Sequence, residues 1–289
     1  MSGSIPEFHI DALLPPEMAL RAEQIGVRKS KMPALTVFVL AILAGAFIAL
    51  GAMFSTTVAA GASGAMPYGV VRLLVGLVFS VGLILVVVGG AELFTGNNLI
   101  VMAWAVGDVS TAALLKNWVI VYLGNFVGSL GTALLVFLGK QYTFGGGAVG
   151  LVALSIANTK VQLGFVQAVM LGILCNTLVC LAVWMTFSAR STVDRIAAIV
   201  FPITAFVAAG FEHSIANMYF FPFALFITEF DPVFAAASGL DLTQLTWLGF
   251  LWDNLFPVTI GNVIGGGVLV AVVYWFVYLR NIKRAAIER

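Results

Sequence analysis

The sequence predicts an all-α membrane protein, a bundle of six spans built as two inverted halves of three, with the second and fifth helices broken. Three observations predict it. First, the 289-residue chain is 61% hydrophobic and only 9% charged, with a mean hydropathy of +1.08. Soluble domains carry about 25% charged residues, so lipid must serve as this chain's solvent. Second, six apolar regions are long enough to cross a bilayer. Third, two of them are interrupted by polar residues in sequences that match each other.

The first span covers 33–59, beginning MPALTVFVLAIL, and the second covers 70–106, with the interruption GGAELFTGN at 89–97. The third and fourth cover 112–138 and 162–188. The fifth covers 195–228 and is interrupted at 209–217 by AGFEHSIAN; the sixth covers 248–279. Both termini inside is the orientation that the basic residues favour. It leaves only Arg72, Lys140 and Lys160 of the 14 Lys and Arg outside. Residues 1–32 form an inner N-terminal arm. Its segment 13–31 reads as an amphipathic helix opened by Pro15 and Pro16, with Arg28, Lys29 and Lys31 suited to an anionic leaflet surface. The arm reads as an interfacial anchor, with gating as the alternative. The pore domain is 33–280, its repeats covering about 33–139 and 160–280, and 281–289 form an inner tail. No basic region precedes an apolar core as in a signal peptide, and no basic cluster suits nucleic acid.

The repeat is specific. Gly90, Glu92 and Asn97 match Gly210, Glu212 and Asn217. In NWVIVYLGNFVG and NLFPVTIGNVIG, Asn117, Asn125 and Gly128 match Asn254, Asn262 and Gly265. Three spans per half force the second copy to enter from the opposite side. Inverted repeats place their site near the midplane at broken helices, where irregular backbone survives only if it is buried in protein or lines a cavity. Glu92 and Glu212 occupy equivalent places. They read as scaffold, accepting the backbone N–H groups exposed where each second half-helix begins. His213 is matched by Leu93. An ionisable group at a membrane break defaults to function, which makes His213 a pore residue, and Thr95 in the opposite break is its natural hydrogen-bond partner. Gly124/Gly128 and Gly261/Gly265 have the spacing that lets helices approach closely. Cys175 and Cys180, five residues apart on a helix, read as small core residues and not as a disulfide.

The segments AELFTGN, GFEHSIAN, KNWVIVYLGN, PVTIGNVIGGG and CLAVWMTFSARS resemble the formate/nitrite transporter family, over nearly the whole chain and most closely the formate channels within it. The resemblance implies an aquaporin-like six-span protomer, a homopentamer with one pore per protomer, and a bacterial-type inner membrane. It makes His213 the central pore histidine and Thr95 the threonine of the loop in the broken second span. It assigns Leu93 and Phe94 to that loop, on the cytoplasmic side. It places Phe206 and Val179 at an inner constriction, Phe79 and Leu83 at an outer one, Asn176 and Asn217 facing the pore, and Lys160 at the outer vestibule. One departure is Gly96, where many relatives carry Ser; glycine loosens this loop and unsettles a gating model taken from relatives.

The expected activity is passage of formate or its neutral acid. Lys160 concentrates anions at the outer mouth, and His213 gives a proton or a hydrogen bond between two apolar rings, since a bare anion there loses its hydration. Nitrite and hydrosulfide are small, monovalent and protonatable as well, and remain the alternative. A water or glycerol channel would carry Asn-Pro-Ala boxes, which the breaks lack. An intramembrane metalloenzyme would need more than one histidine in the spans. No enzymatic activity, cofactor or metal is expected. The partners are small monovalent anions, lipid and further copies of the chain.

Overall fold

The computed structural model describes residues 13–62 and 64–281. His9 and residues 282–289 of the tail lie outside the described residues. Among the described residues the chain is helical throughout: α1 (Pro15–Lys31), α2 (Ala34–Ala59), α3 (Tyr68–Gly89), a 3₁₀ turn (Gly96–Ile100) running into α4 (Val101–Val106), α5 (Thr111–Leu138), α6 (Ala148–Val161), α7 (Phe165–Thr186), α8 (Thr192–Ala209), α9 (Ser214–Phe230), α10 (Pro232–Ala237) and a last rod, Gly249–Leu279. Six of these are long and apolar enough to cross a membrane: α2, α3, α5, α7, α8 and the last rod. The rod is α-helical over Phe256–Val263 (α11) and has wider π turns over Gly249–Leu255, Ile264–Val272 and Trp275–Leu279.

Both breaks open in the same way. α3 ends at Gly90 with φ 78° and α8 at Gly210 with φ 79°, a left-handed turn that glycine adopts without a Cβ penalty. The two halves then pack alike. α5 crosses α2 so closely that a Cβ on Gly128 would collide with the Ile42 carbonyl, and a Cβ on Gly265 in the last rod would collide with the Ile173 carbonyl of α7. The glycine seams therefore join the third span to the first and the sixth to the fourth, within the protomer. α3 lies on α8, where Ser80 and Thr204 meet in the buried seam at 3.4 Å. This contact joins the halves.

Two elements differ from the sequence reading. α1 does not lie free at a surface. Met18, Ala19, Ala22 and Gly26 are buried against the 3₁₀ turn, α4 and the end of the last rod, so the helix belongs to the bundle. α6 fills a stretch read largely as loop. Its 14 residues rise about 21 Å at 1.5 Å each, too little to span, so a search for long apolar runs passes over it. Gly147 starts it, and its buried residues Ala153, Leu154, Ala157 and Val161 lie on one face, packed on α9.

Candidate functional site

Each break is held by the same four polar side chains. In the first half, Lys29 Nζ on α1 lies 3.0 Å from Glu92 Oε1 and 2.8 Å from Asn97 Oδ1. Asn97 Nδ2 donates to Glu92 (2.7 Å) and to Asn117 Oδ1 (3.0 Å). In the second, Lys160 Nζ on α6 lies 2.6 Å from Glu212 Oε1, and Asn217 Nδ2 donates to Glu212 (2.8 Å) and to Asn254 Oδ1 (2.6 Å). The carboxylates are thus satisfied by lysine and asparagine side chains, and not by the helix-start N–H groups that the sequence reading assigned to them. Those N–H groups go elsewhere. Phe94 N donates to Asn125 Oδ1 and Ser214 N to Asn262 Oδ1, both at 2.9 Å. Asn125 Nδ2 returns bonds to the carbonyls of Ala41 and Glu92, and Asn262 Nδ2 to those of Gly172 and Glu212. One buried asparagine in each half therefore ties two backbone groups of a break to a carbonyl of the neighbouring span, α2 or α7.

The breaks meet at Thr95 and His213. Thr95 Oγ1 and His213 Nε2 are 3.0 Å apart, and both residues are buried. His213 is the residue before α9, and its Nδ1 accepts the Ala216 N–H at 3.1 Å. With Nδ1 accepting, the proton of the neutral ring sits on Nε2 and points at Thr95 Oγ1. That leaves the Thr95 hydroxyl hydrogen free to donate elsewhere. A proton on Nδ1 would displace the Ala216 N–H and uncap α9.

A cavity opens on each side of this pair, and the two share no lining residue. One, about 230 Å³, is lined by Lys29, Glu92, Leu83, Leu93 and Gly96 among others; it is called the α1 cavity. The other, about 330 Å³, is lined by Lys160, Glu212, Asn217, Phe79, Phe206 and His213 among others; it is called the α6 cavity. Phe79 and Phe206 meet edge to face at 5.7 Å, and the Phe206 ring stacks on His213 at 5.9 Å. This regroups the expected rings. Phe206 belongs with Phe79 on the α6 side, not with Val179, and Leu83 belongs with Leu93 on the α1 side, not with Phe79.

Four expected pore residues line neither cavity: Thr95 meets His213 between the two, and the other three face protein. Phe94 packs its ring on Trp118 and Tyr122. Val179 sits in the apolar core. Asn176 is a fully buried strut whose Nδ2 donates to the carbonyls of Thr95 (3.3 Å) and Asn262 (2.7 Å) and to Asn98 Oδ1 (3.1 Å). Cys180, read as plain core, also donates to the Thr95 carbonyl at 3.3 Å. The loop of the first break is thereby pinned from several sides. At Gly96 an added Cβ would meet only Val183, at an ordinary 3.7 Å, so the glycine is not required by space. Sequence reasoning missed Lys29, Asn176's structural part and Arg72, whose Nε donates to the Ala208 carbonyl at 3.0 Å and whose Nη2 bonds the Val207 carbonyl. The structure shows the equivalence of the two lysines: Lys29 precedes Lys160 by the same interval that separates Leu40 from Leu171, whose carbonyls accept the Glu92 and Glu212 N–H groups.

The model of the formate/nitrite transporter family matches residues 16–276. The chain belongs to the formate/nitrite transporter family. Among its relatives in that family, the Formate channel FocA of Escherichia coli K12 is 48% identical over 275 residues, covering 94% of this chain and 96% of that protein. FocA of Haemophilus influenzae is 40% identical, covering 90% and 93%. A solved structure titled "Pentameric formate channel with formate bound" superposes with a TM-score of 0.80 at 47% identity, covering 86% of this chain and 98% of that one. The chain is accordingly a multi-pass membrane protein with the six-span fold of this family's channels.

Proposed function

We propose that the chain is a formate channel, assembled as a homopentamer with one pore per protomer, in a bacterial-type inner membrane with the α1 face cytoplasmic. The observation that carries this reading is the Thr95–His213 contact at 3.0 Å, set between two cavities and flanked by apolar side chains on both sides. Similarity to formate channels over most of the chain supports the substrate.

A bare formate ion cannot pass Phe79 and Phe206, or Leu83 and Leu93, without shedding water, at a cost of several kcal/mol. Formic acid avoids most of that cost. In this reading formate takes a proton from hydronium in the entry cavity, giving the neutral acid and water. The acid then crosses the midpoint on the Thr95 hydroxyl hydrogen, while the His213 Nε2–H holds the Thr95 oxygen in place. The histidine holds and orients; it keeps its own proton, because giving one up from the neutral ring would leave an anion in the membrane interior. The Lys–Glu pairs hold the two breaks in register.

The test is flux into proteoliposomes holding purified protein, with formate, nitrite, hydrosulfide and glycerol compared at about pH 5.5 and about pH 7.5, on either side of neutral imidazole's ordinary range. Formate flux that exceeds nitrite and hydrosulfide flux, and that rises as pH falls, is expected. Faster nitrite or hydrosulfide flux would move the substrate within the family, and glycerol flux would overturn the reading.

A further inference from the structure

Each cavity contains a lysine, a glutamate and an arginine: Lys29, Glu92 and Arg28 on the α1 side, Lys160, Glu212 and Arg72 on the α6 side. In each, the lysine is taken by the glutamate. An ion pair at 2.6 Å presents the field of a dipole to an approaching anion, so the Lys160–Glu212 pair attracts weakly at a distance. The positive charge left over in the α6 cavity belongs to Arg72.

Arg72 stands near the start of α3, and its guanidinium bonds carbonyls in the last turn of α8, at Val207 and Ala208. These bonds are to neutral acceptors. Arg72 has no carboxylate partner among the described residues. A guanidinium has five N–H groups in a rigid fork. Two are used on α8, which leaves three, and the cavity beside them also carries Tyr68, Ser155 and Thr159. A fork held by one helix end, with donors to spare in a cavity, suits the planar two-oxygen face of a carboxylate.

We propose that Arg72 is the anion-capturing residue of the α6 mouth, binding a small monovalent carboxylate through its unused N–H groups before the anion reaches Phe79, Phe206 and His213. Lys160 then serves the break and not capture. This deepens the formate-channel reading and rests on it.

The experiment measures formate uptake from the α6 side against formate concentration, at low and at near-physiological ionic strength, for wild type, Arg72→Gln, Arg72→Lys and Thr159→Asp. Arg72→Gln is expected to raise the half-saturating concentration by about tenfold, the lower end of what a focused charge supplies, with the limiting rate little changed. Uptake by wild type is expected to fall with added salt and uptake by Arg72→Gln to stay flat. Arg72→Lys keeps the charge without the fork, and should restore the salt dependence while leaving the half-saturating concentration above wild type. Thr159→Asp sets a carboxylate in the same cavity without touching the α8 carbonyls, and should mimic Arg72→Gln even if the glutamine variant fails to assemble. Equal slowing by Gln and Lys at every concentration, with the salt dependence intact, would make Arg72 only a cap for α8 and overturn the proposal. So would a Thr159→Asp protein indistinguishable from wild type. Wild type that carries no formate at any concentration would overturn the channel reading itself.

Discussion

The two breaks are built on one plan and used differently. Lys29, Glu92, Asn97 and Asn117 in the first half repeat as Lys160, Glu212, Asn217 and Asn254 in the second, and Asn125 repeats as Asn262. What repeats binds backbone and neutralises charge. What does not repeat lines the two cavities: Leu93 against His213, the aliphatic Leu83 against the aromatic Phe79 and Phe206, Arg72 bound to α8 alone. A buried polar group costs about 1–3 kcal/mol when left unpaired, so the scaffold of a broken helix has little freedom, and both halves keep the same solution. The difference lies in what the scaffold presents. The match is also imperfect within the scaffold. Lys29 reaches both Glu92 and Asn97 Oδ1, whereas Asn217 Oδ1 is buried without a partner among the described residues.

The largest expected effect tests the shared plan. Asn125→Ala and Asn262→Ala each strand two backbone groups of a break in a dry interior, at about 1–3 kcal/mol apiece, and both should fail to give assembled protein on size exclusion in detergent. If one assembles normally, the halves are not equivalent. Next come the carboxylates. Removing one partner of a fully buried ion pair costs about 3–5 kcal/mol; here the cost is smaller, because the side chains of Lys29 and Lys160 keep 23% and 16% of their exposure. Glu212→Ala should lower the detergent melting temperature more than Glu92→Ala, since Lys29 retains Asn97 and Lys160 has no second side-chain acceptor among the described residues. The reverse order would show that the Lys29 contact with Asn97 is not what separates the halves. Converting the second break to the first with His213→Leu should abolish formate flux, with a stability loss of about 1 kcal/mol for the missing α9 cap. Smallest is Ser191→Ala, which removes the cap bond from Asp194 N at 3.1 Å. α8 begins on this capping box and α3 on Pro67 without a side-chain cap, so a melting shift of a few degrees at most is expected, with flux unchanged.

Much of this was legible in the sequence. Six long apolar runs, the two interruptions and the Glu/Asn and Gly/Asn matches are local features, and local features survive in one dimension. The Thr95–His213 pairing was legible too, because the inverted repeat brings the two breaks face to face. What could not be read was direction. Phe94 lies in the first break and Asn176 in the middle of α7, but both turn their side chains into the protein, Asn176 to carbonyls on two other segments and Phe94 to Trp118 and Tyr122. Phe206 turns to Phe79 across the α3–α8 seam, a choice set by the crossing of two helices distant in the chain. Lys29 was hidden by its setting: a lysine in a basic last turn reads as a surface charge until Glu92 appears beside it.

We propose that Thr95 and His213 act as one unit in the path of formate. A double-mutant cycle on formate flux tests it, using wild type, Thr95→Val, His213→Asn and the double variant, with melting temperatures followed in parallel. Asparagine is among the best residues at a helix start, so it keeps the α9 cap while its shorter side chain gives up the reach to Thr95. Each single variant should lose most of the flux at near wild-type stability, and the double variant should lose little more than either. Losses that multiply, or flux through His213→Asn equal to wild type, would contradict the account.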